Sequence, residues 1–451
     1  MWYYRWSIFL ILLLTVGFSA CEDDSGMSPS VDILSVLLNS AQLSDGATEV
    51  PSDVELEFVF SRSLQPNDFQ AAFSLRPETD LSFEYSQQST RVKIIAQLQN
   101  DTEYNVLIAT EPIGSQGETL VEPVAISFRT RAEGIIRRLP PCTEATSDCL
   151  RQTLLQSADG EGQFSFYSSF PIYESEARWE DLTTALIMVH GLNRNADDYF
   201  QYLMSTLTSE NRQTEVALIA PFFREDPRSG SSDLYWSGNG WREGQNSSDE
   251  ARLSSFAVID QLVDQLANRE RFPVLEKVLI VGQSSGGLFT HSYAAATGME
   301  QQHPHLQFSF VVGESQYFYY PDARRVDESS NTLFTPTSCT GHDIWPLGYR
   351  SVPAYLANLD RQTVNQQFLD RDLIYLLGNG SGSDGSLNTT ECRATLLGSS
   401  RYQRGENMLT YLNSAYPAHN HRKVIAQGIT HDGSRIYQSP AFRDLLNELL
   451  E

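Results

Sequence analysis

Lysine is almost missing from this 451-residue chain: Lys93, Lys277 and Lys423 are its only examples, and every other basic residue is arginine. Basic residues of both kinds number 32 against 57 Asp plus Glu, which leaves a formal charge of −25. A phosphate backbone needs a basic face, so a chain with this acidic balance argues against nucleic-acid binding. An acidic, lysine-poor, hydrated surface suits salty water as well as plain solubility. Cysteine is scarce too, with five residues and neither a C-x-x-C nor a paired Cys/His spacing, which disfavours zinc. No apolar run reaches the ~20 residues that a membrane span needs. There is no internal repeat, and the only low-complexity tract is Gly378 to Ser383. What remains is 41% hydrophobic and 11% aromatic, enough for a proper core, and the length points to two or three domains.

The N-terminus accounts for the odd cysteine. Arg5 precedes the apolar stretch Ile8 to Phe18, which is the length of a signal-peptide core rather than an anchor. Phe18-Ser19-Ala20-Cys21 resembles the bacterial lipobox, in which the cysteine becomes the lipidated first residue of the exported protein; an ordinary secretory signal beside a free cysteine is the plainer alternative. Glu22-Asp23-Asp24 resembles the acidic surface-export signal of Bacteroidota lipoproteins. The expectation is a signal peptide over 1–20 and a tether over 21–30. The protein is then held in the bacterial envelope, at the outer membrane or cell surface, by a lipid on Cys21 alone. Outside the reducing cytosol, Cys142, Cys149, Cys339 and Cys392 are expected to form disulfides. Three pairings are open, among them a local Cys142–Cys149 loop with a long-range Cys339–Cys392 cross-link.

From 31 to 131 short alternating segments such as Val54 to Phe60, Arg91 to Ile95 and Val124 to Phe128 predict a β-sandwich. The Asn100 to Tyr104 segment has the look of a tyrosine corner, and Ile126 to Thr130 resembles the ending of bacterial Ig-like domains, which implies a spacing or adhesive role. Residues 132–163, with Pro140, Pro141 and the first cysteine pair, read as a linker. From 164 to 451 continuous apolar runs at Ala185 to Val189, Val216 to Ala220, Val278 to Val281, Phe308 to Val312, Leu373 to Leu377 and Lys423 to Ala426 alternate with helical stretches, one of them over 251–269. Such runs predict a mostly parallel sheet covered by helices on both faces.

Gly282-Gln283-Ser284-Ser285-Gly286 directly follows the run ending at Val281, and a helical segment follows it. This is the setting of a nucleophile elbow, where a strained serine needs small residues two before and two after. Ser284 is therefore the candidate nucleophile. Of eight histidines, His431 lies on the loop after the last strand, from which a side chain reaches the elbow, and is the candidate base. His419 and His421 have a spacing open to metal, but surface histidines are the commoner outcome. For the acid, Asp384 is the first after Leu373 to Leu377; Glu391 and Glu314 stand at other places the topology allows. His190-Gly191-Leu192 follows its own strand and reads as an oxyanion turn. The N–H groups of Leu192 and Ser285 are its donors, each worth roughly 3 kcal/mol. Loop aromatics, among them Trp236, Trp241 and Tyr317, are candidates with His190 for a substrate pocket, cap packing being the other reading.

Residues from about 165 to the C-terminus resemble α/β-hydrolase-fold esterases, particularly secreted polyhydroxybutyrate-depolymerase-like and feruloyl-esterase-like members. The resemblance rests on His190-Gly191, Arg194-Asn195-Ala196, the Ser284 elbow and His431-Asp432-Gly433. It implies an acyl-enzyme mechanism on carboxylic esters, polymeric or aromatic, through Ser284, His431 and Asp384, with no metal and no cofactor. A serine peptidase of the same fold and a catalytically inactive surface-binding or adhesion protein are the alternatives. The acid departs from the family pattern, because Asn379, Gly380 and Ser381 occupy the stretch where it usually falls.

Overall fold

The computed structural model describes residues 30–39, 41–132, 135–136, 139–174 and 177–451. The expected signal peptide over 1–20, Cys21 and all but the last residue of the 21–30 tether lie outside the described residues. The chain divides into two compact units, 1–133 and 134–451.

The first unit is a sandwich. One sheet runs in the order 41–42, 33–38, 53–60, 91–97, 82–86, and the other in the order 47–50, 124–130, 103–108, 73–76. Period-two alternation turns Val54, Leu56, Phe58 and Phe60 inward from one sheet, and Tyr104, Val106, Ile108 and Phe128 inward from the other. Tyr104 Oη accepts a hydrogen bond from the Gln99 N–H at 2.9 Å, the corner that the sequence pattern predicts.

The second unit is built on a sheet that has eight strands among the described residues. They are β1 (Leu150–Gln156), β2 (Glu161–Ser168), β3 (Thr184–Val189), β4 (Val216–Pro221), β5 (Lys277–Gln283), β6 (Gln307–Gly313), β7 (Asp372–Gly378) and β8 (Arg422–Ala426), in the order β1-β2-β4-β3-β5-β6-β7-β8. β1 and β2 pair antiparallel at one edge, and β3 to β8 run parallel. The six apolar runs are the six parallel strands. The 132–163 segment is not a linker: it carries β1 and the start of β2. The polar, half-exposed Leu150–Gln156 alternates as an edge strand does, and lacks the continuous apolar signature of its neighbours.

Helices cover both faces: α1 (Ala196–Ser209), α2 (Ser255–Leu266), α3 (Ser285–Ala296), α4 (Arg361–Asp370), α5 (Arg401–Ala415) and α6 (Pro440–Leu450). Alternate residues of β3 serve the two layers. Leu186 and Met188 pack with Phe200 and Leu203 of α1 and Phe442 of α6, while Ala185, Ile187 and Val189 pack with Phe256 of α2 and Phe289 of α3. Burying each such side chain contributes about 1.5–3 kcal/mol. The helix expected over 251–269 starts only at Ser255, because the Ser254 hydroxyl accepts from Phe256 N and caps it. Ser439 caps α6 in the same way, with Pro440 as its first residue. Both disulfides form, Cys142–Cys149 just before β1 and Cys339–Cys392 between a loop and the start of the short helix Cys392–Thr395.

Candidate active site

Ser284 stands between β5 and α3 at φ 59°, ψ −109°, a left-handed conformation that costs an L-residue about 1–2 kcal/mol. The surroundings hold it there. Its N–H donates to Gly313 O at 2.8 Å, and its carbonyl accepts from Leu288 N at 3.1 Å. The need for glycine on both sides is steric. A Cβ on Gly282 would lie 2.1 Å from Gly286 O, and one on Gly286 would lie 2.1 Å from Val189 O. Backbone atoms cannot yield as a flexible side chain does. Gly286→Ala is therefore expected to lower stability in a urea titration by about 3 kcal/mol or more; a variant matching the wild-type midpoint would contradict this packing.

The structure brings His431 and Asp384 together and adds a third group, Ser386. His431 Nδ1 lies 3.3 Å from Ser386 Oγ and 3.7 Å from Asp384 Oδ1. Ser386 Oγ–H donates to Asp384 Oδ1 at 2.6 Å, so its lone pairs are left to accept from the imidazole N–H. That arrangement fixes the proton on Nδ1. Nε2 is buried and has no hydrogen-bond partner among the described residues, Ser284 included. Burial and the Arg401 charge push the His431 pKa down to about 4, against the pull of Asp384 and Asp432. Burial would raise the Asp384 carboxyl, but hydrogen bonds from Ser386 and the Arg401 charge outweigh it, and the group stays below its ordinary value.

Glu314 and Glu391 are placed differently. Glu314 follows β6, and its Oε1 accepts the Gly378 N–H at 2.5 Å, which caps the end of β7. Burial raises its pKa to about 7. Glu391 pairs with Arg393 at 2.7 Å.

His190, Trp236 and Trp241 do not line an open pocket. All three are buried, and His190 packs 4.6 Å from the Trp241 ring and 5.9 Å from Phe223. His190 Nε2 accepts from Phe223 N at 3.2 Å while Nδ1 faces Gly191 O at 2.8 Å, so the ring stays neutral and fastens the turn after β3. The physical reason is that large rings on loops flanking an α/β sheet gain more from the core than from water. Leu192, on that turn, is half exposed, and Ser285 is the first residue of α3, so its N–H has no intrahelical acceptor. Tyr199 Oη lies between the turn and the histidine loop, 3.1 Å from where a Cβ would stand on Gly191 and equally far from one on Gly433.

Tyr317 does line a cavity, of about 210 Å³, together with Arg242, Glu243, Leu347, Glu391 and Arg393. Arg242 Nη1 reaches Ser285 Oγ at 3.4 Å, which places this charged cavity beside the elbow. Neither Ser386 nor Arg401 was marked in the sequence pattern, because nothing in a Gly/Ser-rich loop or a helix start singles out a residue that meets an imidazole. His421 has both ring nitrogens in hydrogen bonds, to Tyr375 Oη and Phe368 O.

An eight-stranded mixed sheet in this order, with a strained serine after β5 and a histidine in the loop after β8, is an α/β-hydrolase-fold domain. It follows a bacterial Ig-like domain, the family whose pattern matches residues 36–130. Among solved structures the chain is similar to LpqC, a poly(3-hydroxybutyrate) depolymerase from Bordetella parapertussis, at 16% identity over 64% of this chain and 87% of that one, with a TM-score of 0.46. It is also similar to poly(aspartic acid) hydrolase-1 from Sphingomonas sp. KT-1, at 17% identity over 67% and 98% of the two chains, TM-score 0.46. A third likeness is to FphF, a fluorophosphonate-binding serine hydrolase from Staphylococcus aureus, at 14% identity over 67% of this chain and 98% of that one, with a TM-score of 0.36. A comparison with curated proteins returned no match.

Proposed function

We propose that the chain is an exported serine hydrolase that cleaves carboxylic esters, held to the envelope by lipid on Cys21. The observation that carries the reading is the Asp384–Ser386–His431 arrangement, which leaves Nε2 unpaired at the same sheet edge as the strained Ser284. Ser284 Oγ attacks the ester carbonyl carbon while its proton passes to His431 Nε2. The tetrahedral oxyanion is held by the N–H groups of Leu192 and Ser285. As it collapses, the C–O bond to the alcohol breaks and imidazolium returns the proton to the leaving oxygen. Water then repeats the sequence on the acyl-enzyme and frees Ser284. Asp384 holds the imidazole tautomer and stabilises the imidazolium. Two disulfides fit an oxidising compartment outside the cytosol, and among the described residues no helix is long and apolar enough to cross a membrane.

A fluorophosphonate probe tests this directly, since attack by Ser284 Oγ at phosphorus expels fluoride and leaves a stable adduct. Peptide mass spectrometry is expected to find the label on Ser284. A protein that stays unlabelled, or is labelled elsewhere, would contradict the proposal.

A further inference from the structure

Asp384 is an unusual place for an acid that must be fixed to a fraction of an ångström. It ends the stretch Asn379-Gly380-Ser381-Gly382-Ser383, which belongs to no helix or strand and is fastened at its start, where Gly380 N donates to Ile429 O at 2.7 Å, several residues short of the acid itself. A rigid element has to do what the loop cannot. Arg401 is the first residue of α5, whose start is capped by Ser400 accepting from Gln403 N at 3.1 Å. Its side chain is only 3% exposed, yet its guanidinium reaches three separate acceptors. Nε donates to Asp384 Oδ2 at 2.5 Å, Nη2 to Ser386 Oγ at 2.9 Å and Nη1 to Glu314 O at 2.9 Å.

We propose that Arg401, acting through Asp384 and Ser386, is the positioning residue that makes Asp384 the third member of the catalytic site. The inference rests on the serine-hydrolase reading above. Its planar fork ties the acid's loop to the backbone beyond β6, the strand whose Gly313 carbonyl holds Ser284 N. Nucleophile and acid are thus referenced to the same strand end. The fork also supplies Ser386 with the donor that leaves its remaining lone pair for His431 Nδ1–H.

The charge has a second consequence. The groups facing His431 are Asp384 on the loop after β7, Asp432 beside it in the chain and Arg401 from α5; Glu314, after β6, faces Arg401 in turn. Arg401 is the cation of this set, and it opposes protonation of the imidazole. A base works only when neutral, so a depressed imidazole pKa carries activity to lower pH than an ordinary histidine would.

The test is the pH profile of kcat/KM for a short p-nitrophenyl ester with wild type, Arg401→Gln and Arg401→Lys. Arg401→Gln is expected to lose about 10–100-fold in kcat with little change in KM, and its acid limb is expected to move up by about one pH unit. Arg401→Lys should restore the limb, because it keeps the charge, but not kcat, because it cannot bridge three acceptors. A loss of equal size at every pH, with the limb in its wild-type place, would mean a merely structural role and overturn the proposal, as would wild-type kinetics. If Arg401→Gln does not fold, Ser386→Ala removes the shared hydroxyl at an exposed position and must show the kcat loss. Labelling of wild-type Ser284 separates the two levels: without it the hydrolase reading fails, whereas a labelled enzyme with indifferent Arg401 variants defeats this inference alone.

Discussion

Ser284→Ala is expected to cut kcat/KM for p-nitrophenyl acetate by about 10⁴-fold or more while leaving the far-UV spectrum and melting temperature near those of wild type. The magnitude follows from the route. Without Oγ there is no acyl-enzyme, and the oxyanion donors can assist only direct attack by water. The fold should survive because the strain at this position belongs to the backbone, which alanine adopts at a cost similar to that of serine, and Ser284 Oγ makes no hydrogen bond among the described residues whose loss would unbalance the core. Hydrolysis retained above a tenth of the wild-type rate would remove Ser284 from the mechanism.

The second large effect separates the candidate acids. Asp384→Asn is expected to lower kcat by about 10³–10⁴-fold at neutral pH, because the amide cannot stabilise imidazolium and disturbs the tautomer. Glu314→Gln is expected to change kcat less than about tenfold, since the amide oxygen can still accept from Gly378 N. The electrostatics run the same way. The Asp384 carboxyl is held below its ordinary value, whereas burial raises that of Glu314 to about 7, which makes it the poorer carboxylate of the two at neutral pH. Steady-state kinetics on the two variants settle the assignment, and the opposite ranking would move the acid to Glu314.

Much of the fold was legible because its strongest signals are local. A parallel strand buried on both faces must be apolar throughout, and six such runs became β3 to β8. The elbow was equally readable, since the backbone contacts at Gly282 and Gly286 admit no other residue. The edge strand β1 escaped because one face of an edge is wet and its sequence resembles a linker, and the start of β2 was counted into the same segment. The aromatic residues left pocket and packing both open for a related reason: a sequence shows that Trp236 and Trp241 are large and apolar, but not whether they turn inward or outward. Arg401 was beyond reach, because its acceptors lie on two separate segments, Glu314 after β6 and Asp384 with Ser386 after β7, that only the sheet brings to the start of α5.

The Cys339–Cys392 bond bears on how this protein can be made and used. Cys392 sits between Glu391 and Arg393, which line the cavity beside the elbow, and Cys339 precedes in the chain Pro346 and Leu347, which line it too. Closing a loop of 53 residues in this way removes about 4 kcal/mol of freedom from the unfolded chain. The sheet that carries Ser284 takes no part in it. If the proposed function holds, protein produced in a reducing cytosol is expected to keep the Ser284 elbow but to lose the tie between the two segments that line the cavity beside it, so ester preferences measured with and without reductant should differ.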